Sequence, residues 1–478
     1  MKLHIIVIYK HGLWIPIPYN DNMTWPIVFE LDLDETFTIE SSDGVKVIKL
    51  LSCRVEKEPD YWNPDKTNKA VYTRAYIGID ISGIQATLIH QPFQMPVVVN
   101  GVRIYIETVK DWALHAEIDI LNKVKKTVRF SALRADKEWG PENFIFPIAR
   151  YRWRASTFNN TWSALVPYDL VYYHRGEDYA AIPDKLDVLS ALDGKVIFSP
   201  FEDSNGWGSN TIAILHQNDY IIIYGHMNIG SINTNLIKGY HVKAGEKIGQ
   251  VGCSWLNEET GHPHIHISLH RSENLEKFNI DDLDTFSVFP MLISSYFRSY
   301  PDSILPIAGG YRFTTPGKEI VLDGLLSLAR PGRKIISYSW KLHDQSTINN
   351  SSTRIIYDQP GLYSEELVIT ADDGSQDRDF VQVRVYDPAQ GRNIGYGDLY
   401  YFPNREIVVN QPVLFWIRLV NIQGHPTIDF GDGSSYEIVE TECTHIYTRP
   451  GFFTITLSAI GLSNDPVTIK TRIIIEEE

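Results

Sequence analysis

From Gly261 to His270 the chain alternates strictly between polar and apolar residues. The even positions are His262, His264, His266, Ser268 and His270, and the odd positions are Pro263, Ile265, Ile267 and Leu269. This alternation predicts a half-buried strand, because successive side chains of a strand point to opposite faces. On a helix, residues two apart diverge by roughly 200°. On a strand, His264 and His266 stand side by side over an open surface while Ile265, Ile267 and Leu269 fill the core. Similar short runs recur along the chain. Ile5–Tyr9, Ala75–Ile81, Val128–Phe130, Thr211–His216 and Tyr220–Met227 each read as a strand. Asn100-Gly101, between two β-branched runs, predicts a hairpin with a type I′ turn. Val188–Phe198, broken at Asp193-Gly194, and Val242–Gly252 read as two further hairpins, and Gly206–Asn210 as a loop. Short strands separated by glycine turns, without a helical period, predict an all-β multidomain chain.

Composition narrows the class. The 478 residues predict two to four domains, and 43% hydrophobic with 22% charged residues is ordinary for globular protein. The net charge of −15 repels phosphate backbones and excludes nucleic acid as a partner. Cys53, Cys253 and Cys443 are far apart and form no Cys-x-x-Cys, so they are expected to be free thiols. No apolar run approaches about 18 residues, so no membrane span is expected. The apolar run after Lys2 is too short for a signal peptide and lacks a small-residue cleavage site, so it reads as a first strand. Residues 1–150 read as a β-rich module, best described as a β-sandwich for binding or spacing. His90 and His115 there are isolated and expected to be structural.

The candidate chemistry lies in residues 151–300. His174-x-x-x-Asp178, Tyr224-x-His226 and His264-x-His266 occur in that order. Imidazoles facing one way invite a metal, although a single His-x-His is more often a polar strand face. Together with the glycine-rich connecting segments, these motifs make residues 170–270 resemble the LytM/lysostaphin-type zinc endopeptidases. That resemblance implies an antiparallel β-sheet or barrel-sandwich hybrid. It implies Zn²⁺ held by His174, Asp178 and His266, a zinc-bound water as nucleophile, and His226 and His264 as catalytic base and oxyanion stabiliser. It also implies a substrate among the peptides of bacterial peptidoglycan. Two segments depart from the family pattern: Gly261-His262-Pro263 is one residue longer, and Cys253-Ser254-Trp255-Leu256 replaces a Thr-Gly. Both alter the rim of the cleft. Asn210, Tyr224 and His262 are expected to line the cleft. Glu177 is expected to be solvated, His216 structural, and His270 too distant to share the ion. No His-Glu-x-x-His helix supplies a carboxylate base.

Residues 305–388 and 390–478 share a Pro-Gly-aromatic turn, at Pro360-Gly361-Leu362-Tyr363 and Pro450-Gly451-Phe452-Phe453, and the second carries Asp429-Phe430-Gly431-Asp432-Gly433. Both resemble polycystic-kidney-disease (PKD) repeats, which implies two Ig-like β-sandwiches that space or adhere outside the cytoplasm, with possible surface or glycan contacts. His343, His425 and His445 are expected at surfaces or turns. Asp429 and Asp432 are expected to cap turns rather than bind calcium. The combined expectation is an extracytoplasmic zinc endopeptidase acting on cell-wall peptides. The alternatives are a catalytically silent adhesion protein on the same scaffold, or an endopeptidase for another protein substrate.

Overall fold

The structure is a computed structural model. It describes residues 4–6, 16–18, 25–59, 70–115, 124–167, 171–202, 210–255, 259, 261–272, 283–387, 389 and 394–477. Val7–Tyr9 of the expected first strand and Gly206–Ser209 of the expected loop lie outside the described residues, as does Leu256. Strands dominate, and the two α-helices among the described residues are Lys110–His115 and Phe289–Ser299. All three cysteines are free.

Two four-stranded sheets form the N-terminal region. One runs in the order Ile27–Leu31, Val128–Arg134, Val102–Val109, Val97–Val99, and the other is the meander from Thr36–Ser41 to Ile84–His90. Their inner faces share one core, including Phe29, Ile48, Ile79, Ile104 and Phe130. The Asn100-Gly101 turn has φ values of 45° and 79°, the double left-handed geometry of type I′. This region does not stand alone. Trp25, Phe93, Tyr105 and Trp139 join the core of the central sheet and of the helix Phe289–Ser299.

The central region is built on an eight-stranded sheet. Within it, Ile265–Arg271 pairs antiparallel with both Glu177–Tyr179 and Tyr220–Gly225. The two expected hairpins do not form. Asp187–Leu189 pairs instead with Lys247–Gln250, and Gly194–Phe198 with His241–Val242 and Ile212–Leu215. The Asp193 carboxylate joins the two segments, accepting from the Ala244 amide and the Lys243 ammonium. Ser190 N then donates to Glu246 O, and Gly245 N to Ser190 O, so the two segments interlock.

The two C-terminal sandwiches are fused edge to edge. Leu362 pairs in parallel with Val467, joining both into a ten-stranded sheet. The glycines of the repeated turn match, with φ of 155° at Gly361 and 154° at Gly451. A Cβ on Gly361 would lie 2.6 Å from Pro466 O, so the first sandwich's turn fits the second only as glycine. Both sandwiches grip the segment 154–160 that leads into the central sheet. Arg472, fully buried, pairs with both oxygens of Asp377 at 2.8 and 2.9 Å and donates to Arg154 O. Arg154 reaches Asp379 at 3.1 Å, and Thr471 Oγ1 donates to Ala155 O. Thr157 N donates to Leu399 O, and Thr157 Oγ1 accepts from Leu399 N at 2.9 Å and donates to Asp398 Oδ1 at 3.2 Å.

Candidate metal centre

Strand register creates the site. Asp178 lies directly opposite His266, and Gly225 lies opposite the same histidine on the other side. Directly opposed residues of an antiparallel pair share a face, so Asp178 and His266 meet. His174 follows the strand Val171–Tyr173, and its backbone is fixed by Ser163 N donating to His174 O and His174 N donating to Ala164 O. Between His174 and Asp178 the chain passes against the His266 ring. A Cβ on Gly176 would lie 2.6 Å from His266 Cε1, so this approach requires glycine.

The three candidate ligand atoms form a tight triangle. His174 Nε2 lies 3.2 Å from Asp178 Oδ1 and 3.2 Å from His266 Nδ1, and His266 Nδ1 lies 2.9 Å from Asp178 Oδ1. Ligands about 2.0–2.2 Å from one tetrahedral ion sit roughly 3.3 Å apart, so the triangle fits zinc. The donor set fits as well: two imidazoles and a carboxylate, with one candidate ligand atom from each gathered together. Burial alone would raise the Asp178 carboxyl, but the neighbouring His174 and His264 imidazoles hold it well below the usual carboxylate range. Its second oxygen accepts from Asn160 Nδ2 at 2.8 Å. Asn160 pairs directly opposite Asp178 on the far strand.

His226 and His264 complete the group, with ring centroids 4.4 Å apart and His264 Nε2 3.6 Å from Asp178 Oδ1. His264 Nδ1 sits 2.7 Å from His262 O, and His226 Nδ1 sits 2.8 Å from Ser254 O. A carbonyl only accepts, so both rings carry their proton on Nδ1 and turn a bare Nε2 towards the site. Burial lowers the pKa of both rings, that of His226 well below its ordinary value, so both are neutral near pH 7. His226 has φ of +67°. This left-handed turn swings it out of the strand direction and onto the face shared by Gly225 and His266.

The other candidates separate. His262 lies at the rim, stacked on Phe158 at 4.6 Å, with Nδ1 3.8 Å from Asp398. Burial, and then the charge of Arg418, lower its pKa to about 2, so it stays neutral. Tyr224 does not line the cleft. It points into the opposite core, fully buried, and its hydroxyl oxygen accepts from Ala191 N at 2.8 Å. The reason is parity, since Gly225 and not Tyr224 shares the face of His266. Asn210 sits before the strand Ile212–Leu215 with φ of 45°. Glu177 is buried rather than solvated. It accepts from Trp162 N at 2.9 Å, and burial raises its pKa well above the ordinary value. His216 Nδ1 donates to Asp193 O, and His270 bonds Ser268 and Thr285 away from the triangle. Asn160, Phe158 and Asp398 were not legible as site residues. Asn160 gave one weak signal, a polar pair at Asn159-Asn160 two residues before Trp162.

Comparison with known proteins agrees with this geometry. The model of Peptidase family M23 matches residues 172–279, and models of the PKD domain match residues 304–385 and 399–469. No curated protein matches the chain. Among solved structures, the PKD domain from KIAA 1837 protein is 28% identical, over 17% of this chain and 86% of that one, with a TM-score of 0.15. The fibronectin(III)-like modules of CbhA from Clostridium thermocellum are 15% identical, over 37% and 94%, with a TM-score of 0.15. Dimeric latent PorU from Porphyromonas gingivalis is 10% identical, over 92% and 42%, with a TM-score of 0.16. Scores this low carry no argument about arrangement. The family matches do: this all-β chain carries a Peptidase family M23 domain followed by two PKD domains.

Proposed function

We propose that the chain is a zinc-dependent endopeptidase that works outside the cytoplasm and hydrolyses peptide bonds of bacterial cell-wall peptidoglycan. The observation that carries this reading is the convergence of His174, Asp178 and His266 into one triangle with two neutral histidines beside it. The wall substrate follows from the resemblance to LytM-type enzymes, and the extracytoplasmic setting from the PKD domains.

His174, Asp178 and His266 would hold the ion. Zinc there would supply Lewis-acid polarisation of a carbonyl oxygen and lower the pKa of a water. The chain's own residues do the rest. Asn160 keeps Asp178 oriented through its second oxygen. His264 Nε2, 3.6 Å from Asp178 Oδ1, accepts the proton of the attacking water. His226 Nε2 faces the same space as a second acceptor and, while neutral, orients the attacking water by accepting a hydrogen bond from it. Both steps need neutral imidazoles at the start. Because burial lowers both pKa values, activity falls on the acid side of 6.5 rather than above it.

The test is metal content and cleavage of purified cell wall by the full chain. His264→Ala is expected to keep its zinc and lose about 10²–10⁴-fold in turnover. Asp178→Ala is expected to lose the metal. Full activity in His264→Ala, or a wild-type chain that binds no zinc, would overturn the reading.

A further inference from the structure

Two arginines are enclosed where the PKD domains approach the rim of the metal centre. Arg384, from the first domain, is 7% exposed, and Arg418, from the second, is half-buried. Arg384 Nε and Arg418 Nη1 are both buried and lack a hydrogen-bond partner among the described residues. Arg384 is held by aromatic faces instead, with its guanidinium carbon 5.1 Å from the centre of the Tyr311 ring and 4.7 Å from that of Tyr396. A guanidinium taken out of water normally gains a carboxylate, because an unpaired enclosed charge is costly.

One carboxylate faces both. Asp398 is fully buried and lies directly opposite Arg418 on the neighbouring strand. Burial raises the pKa of Asp398, and the charges of Arg384 and then Arg418 pull it back. Two cations thus share one anion, and the cluster is left with a surplus of positive charge on a chain whose net charge is −15. Arg384 is the more enclosed and offsets Asp398. Arg418, with part of its side chain open to solvent, carries the surplus.

The cluster adjoins the cleft through His262. Asp398 Oδ2 lies 3.8 Å from His262 Nδ1, and the His262 side chain is 18% exposed. After burial, the charge of Arg418 does most to keep a proton off His262, as expected of a near neighbour. Phe158 ties His262 to the catalytic group, stacking on it at 4.6 Å and lying 5.1 Å from the His264 ring. His262 and His264 are two positions apart in the chain. An extended peptide advances about 3.3 Å per residue, so a group that reaches Arg418 past His262 belongs to a residue within about five of the bond served by His264.

We propose that Arg418 is a subsite for a free carboxylate of the substrate peptide, bound on the His262 side of the cleft. A guanidinium presents paired N–H donors that match the two oxygens of a carboxylate. An acidic side chain, an α-carboxyl left free by a side-chain linkage, or a free C-terminus each supplies one. The proposal rests on the endopeptidase reading and adds the charge of the substrate. It also makes the second PKD domain part of the specificity of the peptidase.

The experiment uses the full-length, zinc-loaded chain and soluble peptide fragments of purified cell wall. Half of the preparation is left with its carboxylates free, and half is converted to carboxamides with carbodiimide and ammonia. Wild type is expected to cut the free form with a kcat/KM about tenfold above that of the amidated form. Arg418→Gln is expected to retain its zinc, to cut the two forms within about twofold of each other, and to show the loss in KM for the free form. Arg418→Lys keeps the charge without the fork and is expected to fall between them. Equal cleavage of both forms by wild type, or a preference undiminished in Arg418→Gln, overturns the proposal and leaves the endopeptidase reading intact. Cleavage of neither form by wild type overturns both.

Discussion

The two PKD domains share a fold and a turn but not a task. The second, residues 399–469, reaches the metal centre's surroundings directly. Tyr400 packs with Phe158, Ala180 and Ile182, and Asp398 at its edge lies 3.8 Å from His262. The first, residues 304–385, acts at one remove, through Asp377 on Arg472 and Asp379 on Arg154. Among its buried polar groups is Glu365, completely inaccessible, which accepts from His343 Nδ1 and Tyr357 OH, each at 2.9 Å. In the second domain His445 meets Asp432 at 2.7 Å and stacks on Phe430 at 4.0 Å. His445 is therefore buried rather than superficial, because an aromatic face and a carboxylate cover it. The difference teaches that a repeat's family predicts its sandwich and not its role. Here one copy walls the cleft and the other braces the wall.

Four measurements sharpen or break that comparison. The largest effect is expected from Arg472→Met. Removing one partner of a buried ion pair strands Asp377, at a cost of about 3–5 kcal/mol in denaturant unfolding. A loss below about 1 kcal/mol would show that the two sandwiches are not braced through this pair. Second comes acid. Burial lowers the pKa of His90 and His216 to about 4, outside the PKD domains. Below about 6.5 the unfolded chain binds protons there that the folded chain does not. Stability is then full above about 6.5 and is lost as pH falls towards 4, by up to about 3 kcal/mol per histidine. Thermal unfolding between pH 7 and 4.5 measures this, and His90→Gln should flatten the slope.

Third, Thr157→Val removes the hydroxyl that serves both Asp398 and Leu399. It is expected to cost about 1–3 kcal/mol and to weaken zinc binding, since the same segment carries Asn160. Competition with a chelator reads the second effect, and unchanged zinc affinity would mean that the second domain does not steady the metal site. The smallest effect belongs to the first domain. The hydrogen bond that His343 donates to Glu365 raises the His343 pKa. Its contribution is therefore full below about 6.5 and is lost as pH rises through the raised folded value. The pair is partly open to solvent, so less than about 1 kcal/mol is at stake. A His343→Gln variant should lose this alkaline slope while keeping the acid one.

Much of the site was legible because a strand writes its faces in alternate letters. Gly261–His270 announced its histidine face, and Asn100-Gly101 announced its turn. The misreadings arose where a face was assigned without knowing the partner strand. Glu177 and Asp178 must point oppositely. Once Asp178 faces His266, Glu177 has to enter the core, where it accepts from the Trp162 amide fifteen residues back along the chain. Tyr224 and His226 share parity, but the left-handed backbone at His226 turns it to the face of Gly225. The crossed pairing of 187–198 with 241–250 joins segments some fifty residues apart, which local alternation does not record. Asp398 meets Thr157 across 241 residues, and local alternation carries no trace of such a meeting.

The grip on segment 154–160 has a consequence for the order of synthesis. Asp398, Leu399, Thr471 and Arg472, which fasten it, leave the ribosome long after His174, Asp178 and His266. The strand bearing Asn160 is thus anchored only after Arg472 has been made. A nascent chain therefore carries its three candidate ligands well before the residues that fasten segment 154–160 have been made.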